Sequence, residues 1–273
     1  MIPVLCFAAV SLLGALPLCL SVFHLSVGVS LLITFVVFIL LHGLFFLFFG
    51  LIAQTVPGDR PLEKQNQLLR WGGVQVLTIA NFYAGVRPVV TGLEKLPKEG
   101  RFLFVSNHRS AFDPLVAMTG LRDYNVFFIS KPSNMRFRLS GRFAYAVGCL
   151  AIDRDNDRNA LKTILTAADY MKRGICSIGV YPEGTRSKTG EMLPFHSGCF
   201  KAAQRAKVPI AVGAVHGTEK AKRFKLFSTT KVYLDIVEVI PAETVASMRT
   251  DALSEHIRGI IQADLDRRAE QEA

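Results

Sequence analysis

The chain begins with two long apolar stretches, at residues 2–23 and 25–53. A helix needs about 20 apolar residues to cross the hydrocarbon core of a bilayer. Each stretch is long enough, and Pro17 and residues 26–30 supply breaks in the pattern. We therefore predict a membrane helical hairpin that crosses twice. The alternative is a single span over 31–52 preceded by an interfacial helix.

Beyond the hairpin, short apolar runs alternate with segments of helical periodicity. The runs predict seven strands, at 86–91, 102–106, 125–130, 149–152, 175–181, 210–216 and 231–240. Helices are predicted at 113–120, 135–147, 156–173 and 200–206, with one helix over the tail, 244–273. Strands that alternate with helices predict an α/β fold, here an αβα sandwich with a mostly parallel sheet of about seven strands.

An amphipathic helix is predicted over 61–83, between the hairpin and the first strand. Leu68, Leu69, Val76, Leu77 and Ile79 stand among polar residues there. Two placements fit this pattern equally: along the membrane surface, or packed as an ordinary helix of the domain.

Charged side chains begin abruptly at Asp59, and all 32 basic and 22 acidic residues follow that boundary. We therefore divide the chain into a membrane anchor, 1–58, and a globular domain, 59–273. The net charge of +10 indicates attraction to anionic headgroups or substrates. Nucleic acid is not favoured as a partner, because the basic residues are scattered rather than clustered.

Lys and Arg residues follow the second apolar stretch closely, beginning with Arg60 and Lys64. By the positive-inside tendency, we expect an integral membrane protein whose domain faces the cytoplasm. The five cysteines have no C-x-x-C spacing, which fits reduced thiols in that compartment. No metal pattern such as H-E-x-x-H occurs, so we expect no metal.

The first candidate site is a His and an Asp that follow the second predicted strand. His108 comes directly after that strand, and Asp113 lies five residues later. This spacing favours a loop over a shared helix face, which requires i, i+3 or i+4. A carboxylate that folds back would fix the imidazole tautomer and leave the other ring nitrogen as a base. Taken alone, this spacing favours the plainer interpretation, in which Asp113 is a helix N-cap and His108 a polar loop residue.

A second candidate site is the segment YPEGTRS, residues 181–187, after the fifth predicted strand. Gly184 allows close backbone approach, Thr185 offers a hydroxyl, and Arg186 offers a planar fork suited to phosphate. No Walker-type sequence is present, so a nucleotide phosphate is not indicated. Arg154 and Lys131 each lie just past a predicted strand. Arg154 either binds an anion or is paired with an acidic side chain. Lys131 either binds an anion or is an ordinary surface lysine.

In this order, these segments resemble the motifs of the glycerolipid acyltransferase family, from about residue 86 to 240. The N-H-x4-D motif matches 107–113, and V-P-I matches 208–210. Three motifs match with one replacement each: F-I-D-R at 151–154 with Ala151 for Phe, F-P-E-G-T-R-S at 181–187 with Tyr181 for Phe, and L-P-F-K-x-G at 193–198 with His196 for Lys.

The resemblance implies that 59–273 is an acyltransferase domain in phospholipid biosynthesis. Its expected reaction moves an acyl group from acyl-CoA or acyl carrier protein to the sn-2 hydroxyl of 1-acylglycerol 3-phosphate (lysophosphatidate), giving phosphatidic acid. No further cofactor is implied. His108 is expected to be the general base and Asp113 to orient it. The residues expected to form the acceptor site are Arg154, Glu183, Gly184, Thr185 and Arg186, with Lys131 as a further contact.

One residue of that set has the wrong charge for a phosphate ligand. We expect Glu183 to position Arg186 or a neighbouring amide rather than touch the acceptor. Other acceptors stay open, namely glycerol 3-phosphate, another lysophospholipid or a lyso-aminolipid. Outside the family's chemistry, the alternatives are a thioester hydrolase and a non-catalytic membrane tether.

Overall fold

The computed structural model describes residues 2–57, 66–135, 138–153, 155–187, 189–221 and 229–272. One sheet contains all seven predicted strands, in the order β1-β7-β6-β2-β5-β3-β4. The strands are β1 (Val86–Thr91), β2 (Leu103–Ser106), β3 (Val126–Ser130), β4 (Leu150–Ala151), β5 (Ser177–Val180), β6 (Ile210–His216) and β7 (Thr230–Ile240). Every neighbouring pair is parallel except β6 and β7, so the mostly parallel sheet is confirmed.

Helices cover both faces of the sheet, which makes the α/β sandwich. The α-helices are α1 (Ile2–Ala9), α2 (Val27–Ala53), α3 (Gln67–Tyr83), α4 (Asp113–Gly120), α5 (Arg138–Ala146), α6 (Asp157–Lys172), α7 (Lys201–Ala206), α8 (Ala242–Ser247) and α9 (Thr250–Glu272). α4 packs on one face, and α6, α7, α8 and α9 pack on the other. Strands covered on both faces are continuous apolar runs, as in β2, where every residue is buried.

Two glycines in the central strands make room for aromatic rings of neighbouring strands. A Cβ at Gly213 would lie 2.6 Å from the Phe104 ring, and one at Gly179 would lie 2.5 Å from the Phe128 ring. These phenylalanines are almost fully buried. Because these glycines lack a side chain, the two rings pack directly against the backbone of the neighbouring strand.

The N-terminal anchor is a helical hairpin that turns at residues 23–26. Segments Pro3–Val22 and Val27–Ala53 are both long and apolar enough to cross a membrane, judged by length and composition. His24 occupies the turn with a φ of +49°. The prediction that Pro17 breaks the first helix is wrong. Pro17 lies between the π-helical segments Val10–Ala15 and Leu18–Val22, whose wider turns reduce the clash of its ring with the preceding turn.

The C-terminal half of the anchor packs against α3. The rings of Phe49 and Trp71 lie 6.0 Å apart. Within α2, the His42 Nδ1–H donates to Phe38 O at 2.9 Å, which leaves Nε2 as an acceptor. His42 Nε2 therefore accepts from the Tyr83 hydroxyl, at 3.2 Å. The helix predicted over 61–83 is observed from Gln67, and residues 58–65 lie outside the described part of the chain. α3 is thus a packed helix with an apolar outer face, since Leu68, Trp71 and Phe82 are exposed.

The prediction of one helix over the C-terminal tail is wrong. The chain forms α8 and α9, and between them Met248 adopts an extended conformation. Gln204 of α7 donates from its side-chain amide to the carbonyl oxygens of Val245 and Met248, at 3.0 and 2.8 Å. The side chain of a distant helix thus satisfies the carbonyl groups at the break between α8 and α9. The local sequence pattern therefore does not reveal this break.

Candidate active site

The two candidate segments meet at the carboxyl edge of the sheet. β2 pairs in parallel with β5 on one side and with β6 on the other. The loops that follow these strands therefore leave the sheet at the same edge, which is where ligand sites form in open parallel sheets. The structure brings His108, after β2, beside residues 181–187, after β5.

His108 and Asp113 form a direct hydrogen bond. His108 Nδ1 lies 2.7 Å from Asp113 Oδ2, and the Asp113 side chain is fully buried. Since a carboxylate accepts, Nδ1 carries the proton and Nε2 is the ring nitrogen left with a lone pair. Nε2 has no hydrogen-bond partner among the residues that the structure describes. The predicted loop that folds back at Asp113 is thus what the structure contains.

Asp113 also holds the loop that it closes. Its Oδ2 accepts from the backbone N–H groups of Arg109 at 2.6 Å and Ser110 at 2.8 Å. An N-cap side chain would instead accept from amides further along the helix that it begins. Asp113 bonds amides that precede it, although it is the first residue of α4. One carboxylate oxygen therefore fixes both the imidazole and the backbone beside it.

An aromatic ring supports the face of the imidazole. The Tyr181 ring stacks on His108 with centroids 4.4 Å apart and a 20° angle between the planes. Phe128 in turn stacks against Tyr181 at 5.8 Å. Burial raises the pKa of Tyr181 well above its ordinary value, and the Asp113 charge raises it further. The phenol therefore stays protonated in the neutral pH range.

Glu183 is buried and faces backbone amides. Its Oε1 accepts from His108 N at 2.6 Å, and its Oε2 accepts from Leu193 N at 2.9 Å. Burial raises the pKa of Glu183, while these two amides act in the opposite direction. Glu183 thus fixes His108 from a second loop, and this geometry matches the expectation that it positions a neighbouring amide.

The turn at residues 181–187 presents two of its residues to solvent, those that follow the buried Gly184. Gly184 N donates to Tyr181 O at 3.0 Å, and Gly184 has a φ of +71°, which a glycine adopts without strain. Thr185 and Arg186 are exposed beyond the turn. Ser187 N then donates to His108 O at 2.9 Å, which joins the turn to the loop that contains His108.

The two other predicted phosphate contacts, Lys131 and Arg154, follow other strands than the pair of His108 and Asp113, which we call the dyad. Lys131 is exposed just after β3, at the same edge of the sheet. Arg154 lies outside the described residues. Its neighbour Asp153 accepts from the Asn159 side chain at 3.1 Å.

Asn107 has a structural role that the sequence pattern did not indicate. Its side-chain amide donates to Val215 O at 3.0 Å, and its side-chain oxygen accepts from Val215 N at 2.8 Å. These two bonds continue the pairing of β2 with β6 just before His108. In the sequence, Tyr181 differs from the family motif only as a replacement for Phe, and no local pattern predicts that its ring contacts His108.

A second polar cluster lies at the end of β6, beside an open cavity of about 490 Å³ that Arg109 also lines. His216, Asp235 and Asp264 have ligand atoms close enough to hold a metal ion. His216 Nε2 donates to Asp264 at 3.1 Å, however, and Arg268 pairs with Asp235 at 2.6 Å. Arg267 pairs with Asp264 as well. The carboxylates are thus neutralised by arginines, and the cluster joins α9 to the sheet.

Comparisons with known proteins agree with the motif order. A family model described as "Acyltransferase" matches residues 87–214. The 1-acyl-sn-glycerol-3-phosphate acyltransferase of Salmonella typhimurium is 32% identical over 181 residues, covering 64% of this chain and 72% of that protein. The human 1-acyl-sn-glycerol-3-phosphate acyltransferase alpha is 27% identical over 215 residues, covering 78% and 74%.

The fold also has a solved counterpart. The crystal structure of the 1-acyl-sn-glycerophosphate (LPA) acyltransferase PlsC from Thermotoga maritima superposes with a TM-score of 0.59 at 21% identity. The similarity covers 83% of this chain and 88% of that one. The sequence relatives and the α/β fold together establish that this chain is an acyltransferase and belongs to the 1-acyl-sn-glycerol-3-phosphate acyltransferase family.

Proposed function

We propose that the protein transfers a fatty acyl group from an acyl thioester to the sn-2 hydroxyl of 1-acylglycerol 3-phosphate, giving phosphatidic acid for phospholipid biosynthesis. The observation that carries the proposal is the 2.7 Å bond between His108 Nδ1 and the buried Asp113 carboxylate. It fixes the tautomer in which Nε2 can take a proton. The names of the relatives support this acceptor.

In the proposed mechanism, His108 Nε2 removes the proton from the acceptor hydroxyl. At the same time, the hydroxyl oxygen attacks the thioester carbonyl carbon. Asp113 stabilises the imidazolium that forms. The tetrahedral intermediate collapses with cleavage of the C–S bond, and the imidazolium returns the proton to the leaving thiolate. General base catalysis of this kind contributes typically ~10²–10⁴ in rate. The acyl group passes directly to the acceptor without an acyl-enzyme.

The developing oxyanion needs hydrogen-bond donors. The Gly184 amide is already bonded to Tyr181 O. The backbone amides of Thr185 and Arg186 have no partner within the described ranges, and they follow on the same turn. We assign the oxyanion to these two amides. The exposed Arg186 guanidinium then serves the acceptor phosphate, together with Arg154, Lys131 and the Thr185 hydroxyl.

Membrane association fits this chemistry, because the acceptor and the product are lipids. The two apolar helices of the anchor hold the domain at the bilayer, which raises the effective concentration of a lipid substrate. We place the domain on the cytoplasmic side, where the donor is acyl-CoA or acyl carrier protein. No other cofactor takes part in this mechanism.

The test is a product assay on membranes that contain the protein. Acyl-CoA and acyl-carrier-protein donors are offered with lysophosphatidate, glycerol 3-phosphate and other lysophospholipids. We expect phosphatidic acid from the wild type, a loss of at least ~100-fold in His108→Ala, and no loss in His256→Ala. His256 is a matched control because it is exposed on α9.

Four results would contradict the proposal in distinct ways. Unchanged ester formation in His108→Ala would mean that His108 is not the general base. Free fatty acid as the sole product assigns a thioester hydrolase. Esterification of glycerol 3-phosphate in preference to lysophosphatidate assigns the other acceptor. Separately, a stoichiometric acyl-protein formed with donor alone would exclude direct transfer.

A further inference from the structure

Tyr181 stands out because it contributes a polar atom to an otherwise apolar support. Its ring supports His108 by stacking, and a phenylalanine ring would do the same. Phe is the residue that the resembled family motif has at this position. The hydroxyl is therefore the feature of this chain that the stacking role leaves without an explanation.

Two buried polar atoms near the dyad lack hydrogen-bond partners. Within the part of the chain that the structure describes, these are the Tyr181 hydroxyl and Asp113 Oδ1. The other Asp113 oxygen, Oδ2, accepts from three donors. A buried polar group without a partner is costly, and here one is a donor and the other an acceptor.

We propose that Tyr181 is a positioning residue for the dyad, whose hydroxyl donates a hydrogen bond to Asp113 Oδ1 in the working enzyme. The inference rests on the proposed function of His108 and Asp113. Catalytic hydrogen bonds are often long or poorly aligned before substrate binds, and they shorten in the reactive complex. Because the pKa of Tyr181 is raised, the phenol is a donor throughout the pH range of an assay.

The bond has a defined electrostatic consequence for His108. A donor on Oδ1 withdraws charge from the carboxylate, so Asp113 stabilises the imidazolium less and the base stays neutral to lower pH. The groups that face His108 are Asp113 from α4, and Tyr181 and Glu183 from the loop after β5. Arg109, its neighbour in sequence, is turned toward Gly190 and Glu219.

The experiment compares Tyr181→Phe with Tyr124→Phe. The first variant keeps the stacked ring and removes the hydroxyl. The second removes a hydroxyl that donates to Leu93 O at 3.1 Å, outside the dyad. The pH dependence of kcat with lysophosphatidate, the NMR titration of the His108 ring with lysophosphatidate bound, and the thermal unfolding midpoint of the free protein are measured for both.

We expect Tyr181→Phe to move the acid limb of kcat, and the His108 titration in the lysophosphatidate complex, to higher pH by about 0.5 unit. On that limb the rate at a fixed pH falls ~3-fold, while the alkaline plateau changes less. Its unfolding midpoint should not fall. Tyr124→Phe should show the reverse, with a lower midpoint and an unmoved pH profile.

Suppose that the wild type makes phosphatidic acid and His108→Ala does not. An unmoved acid limb and an unmoved His108 titration in Tyr181→Phe would then overturn the inference and leave the proposed function intact. A shift of the same size in Tyr124→Phe would also overturn it, because the effect would then be general. Absence of transfer by the wild type would instead overturn the proposed function, and this inference with it.

Discussion

Replacing Asp113 by Asn tests the dyad with the smallest change in shape. The carboxylate oxygen Oδ2 accepts from His108 Nδ1 and from two backbone amides, whereas Oδ1 has no partner among the described residues. An Asn at this position therefore has one favoured orientation. Its oxygen takes the three donors, and its NH₂ group occupies the place of Oδ1. The reverse orientation would set the NH₂ against three N–H groups.

This orientation determines the size of the effect on catalysis. The Asn oxygen still accepts from Nδ1–H, so the tautomer of His108 is kept and the negative charge is lost. We therefore expect kcat to fall by ~10²-fold, the lower end of the range for a general base, because the imidazolium is no longer stabilised by a full charge. The buried NH₂ needs an acceptor, and an unpaired donor costs about 1–3 kcal/mol in the free energy of unfolding.

The assay measures kcat with lysophosphatidate and the thermal unfolding of Asp113→Asn. Asp123→Asn serves as the control, because the Asp123 side chain is 84% exposed. More than half of the wild-type kcat in Asp113→Asn would refute the argument that this charge supports the base. A loss near 10⁴-fold would instead mean that the amide is reversed and holds the wrong tautomer.

Three further changes test other contacts. Glu183→Gln sets an NH₂ group against one of two backbone donors, so thermal unfolding should show a loss of about 1–3 kcal/mol and kcat should fall with it. Burial raises the pKa of Asp264, but the hydrogen bonds from His216 and Arg267 outweigh it and leave this pKa below 3.8. The stabilisation that the ionised Asp264 carboxylate provides is thus fully present above pH 3.8, and it is lost as the pH falls through the lowered pKa. Denaturant unfolding should therefore show Asp264→Asn to be less stable than wild type at pH 7 and equal to it in strong acid. Gly92→Ala should cost roughly 2 kcal/mol or more, because Gly92 has a φ of +75° and a Cβ would lie 2.3 Å from Ile236 O, whereas the exposed Gly259→Ala should not destabilise α9.

The strands were predictable because the sheet is covered on both faces. A strand buried on both sides is apolar at most positions, so β2 and β6 stand out as nearly continuous apolar runs in the sequence. The loop between His108 and Asp113 was also predictable, since their spacing excludes a shared helix face. Local sequence thus contained the strand ends and the fold-back of the carboxylate.

The remaining features depend on partners that are distant in the chain. The break at Met248 requires Gln204, and the role of Glu183 depends on the amides of His108 and Leu193. The stacking of Tyr181 on His108 likewise joins loops that follow different strands. The periodicity of the sequence does not reveal such pairs, because the two residues of each pair come into contact only when the chain has folded.

Two side-chain hydrogen bonds, together with helices α3 and α4, connect the N-terminal anchor to the dyad. Tyr83 of α3 bonds His42 of the anchor, and Asn81, two residues earlier, donates to Thr119 of α4 at 3.3 Å. Asp113 is the first residue of α4. The anchor therefore lies on the α3 and α4 side of the sheet, and α6 to α9 cover the opposite face. On the proposed function, this arrangement brings a bilayer-bound acceptor to the carboxyl edge from the side of α3 and α4.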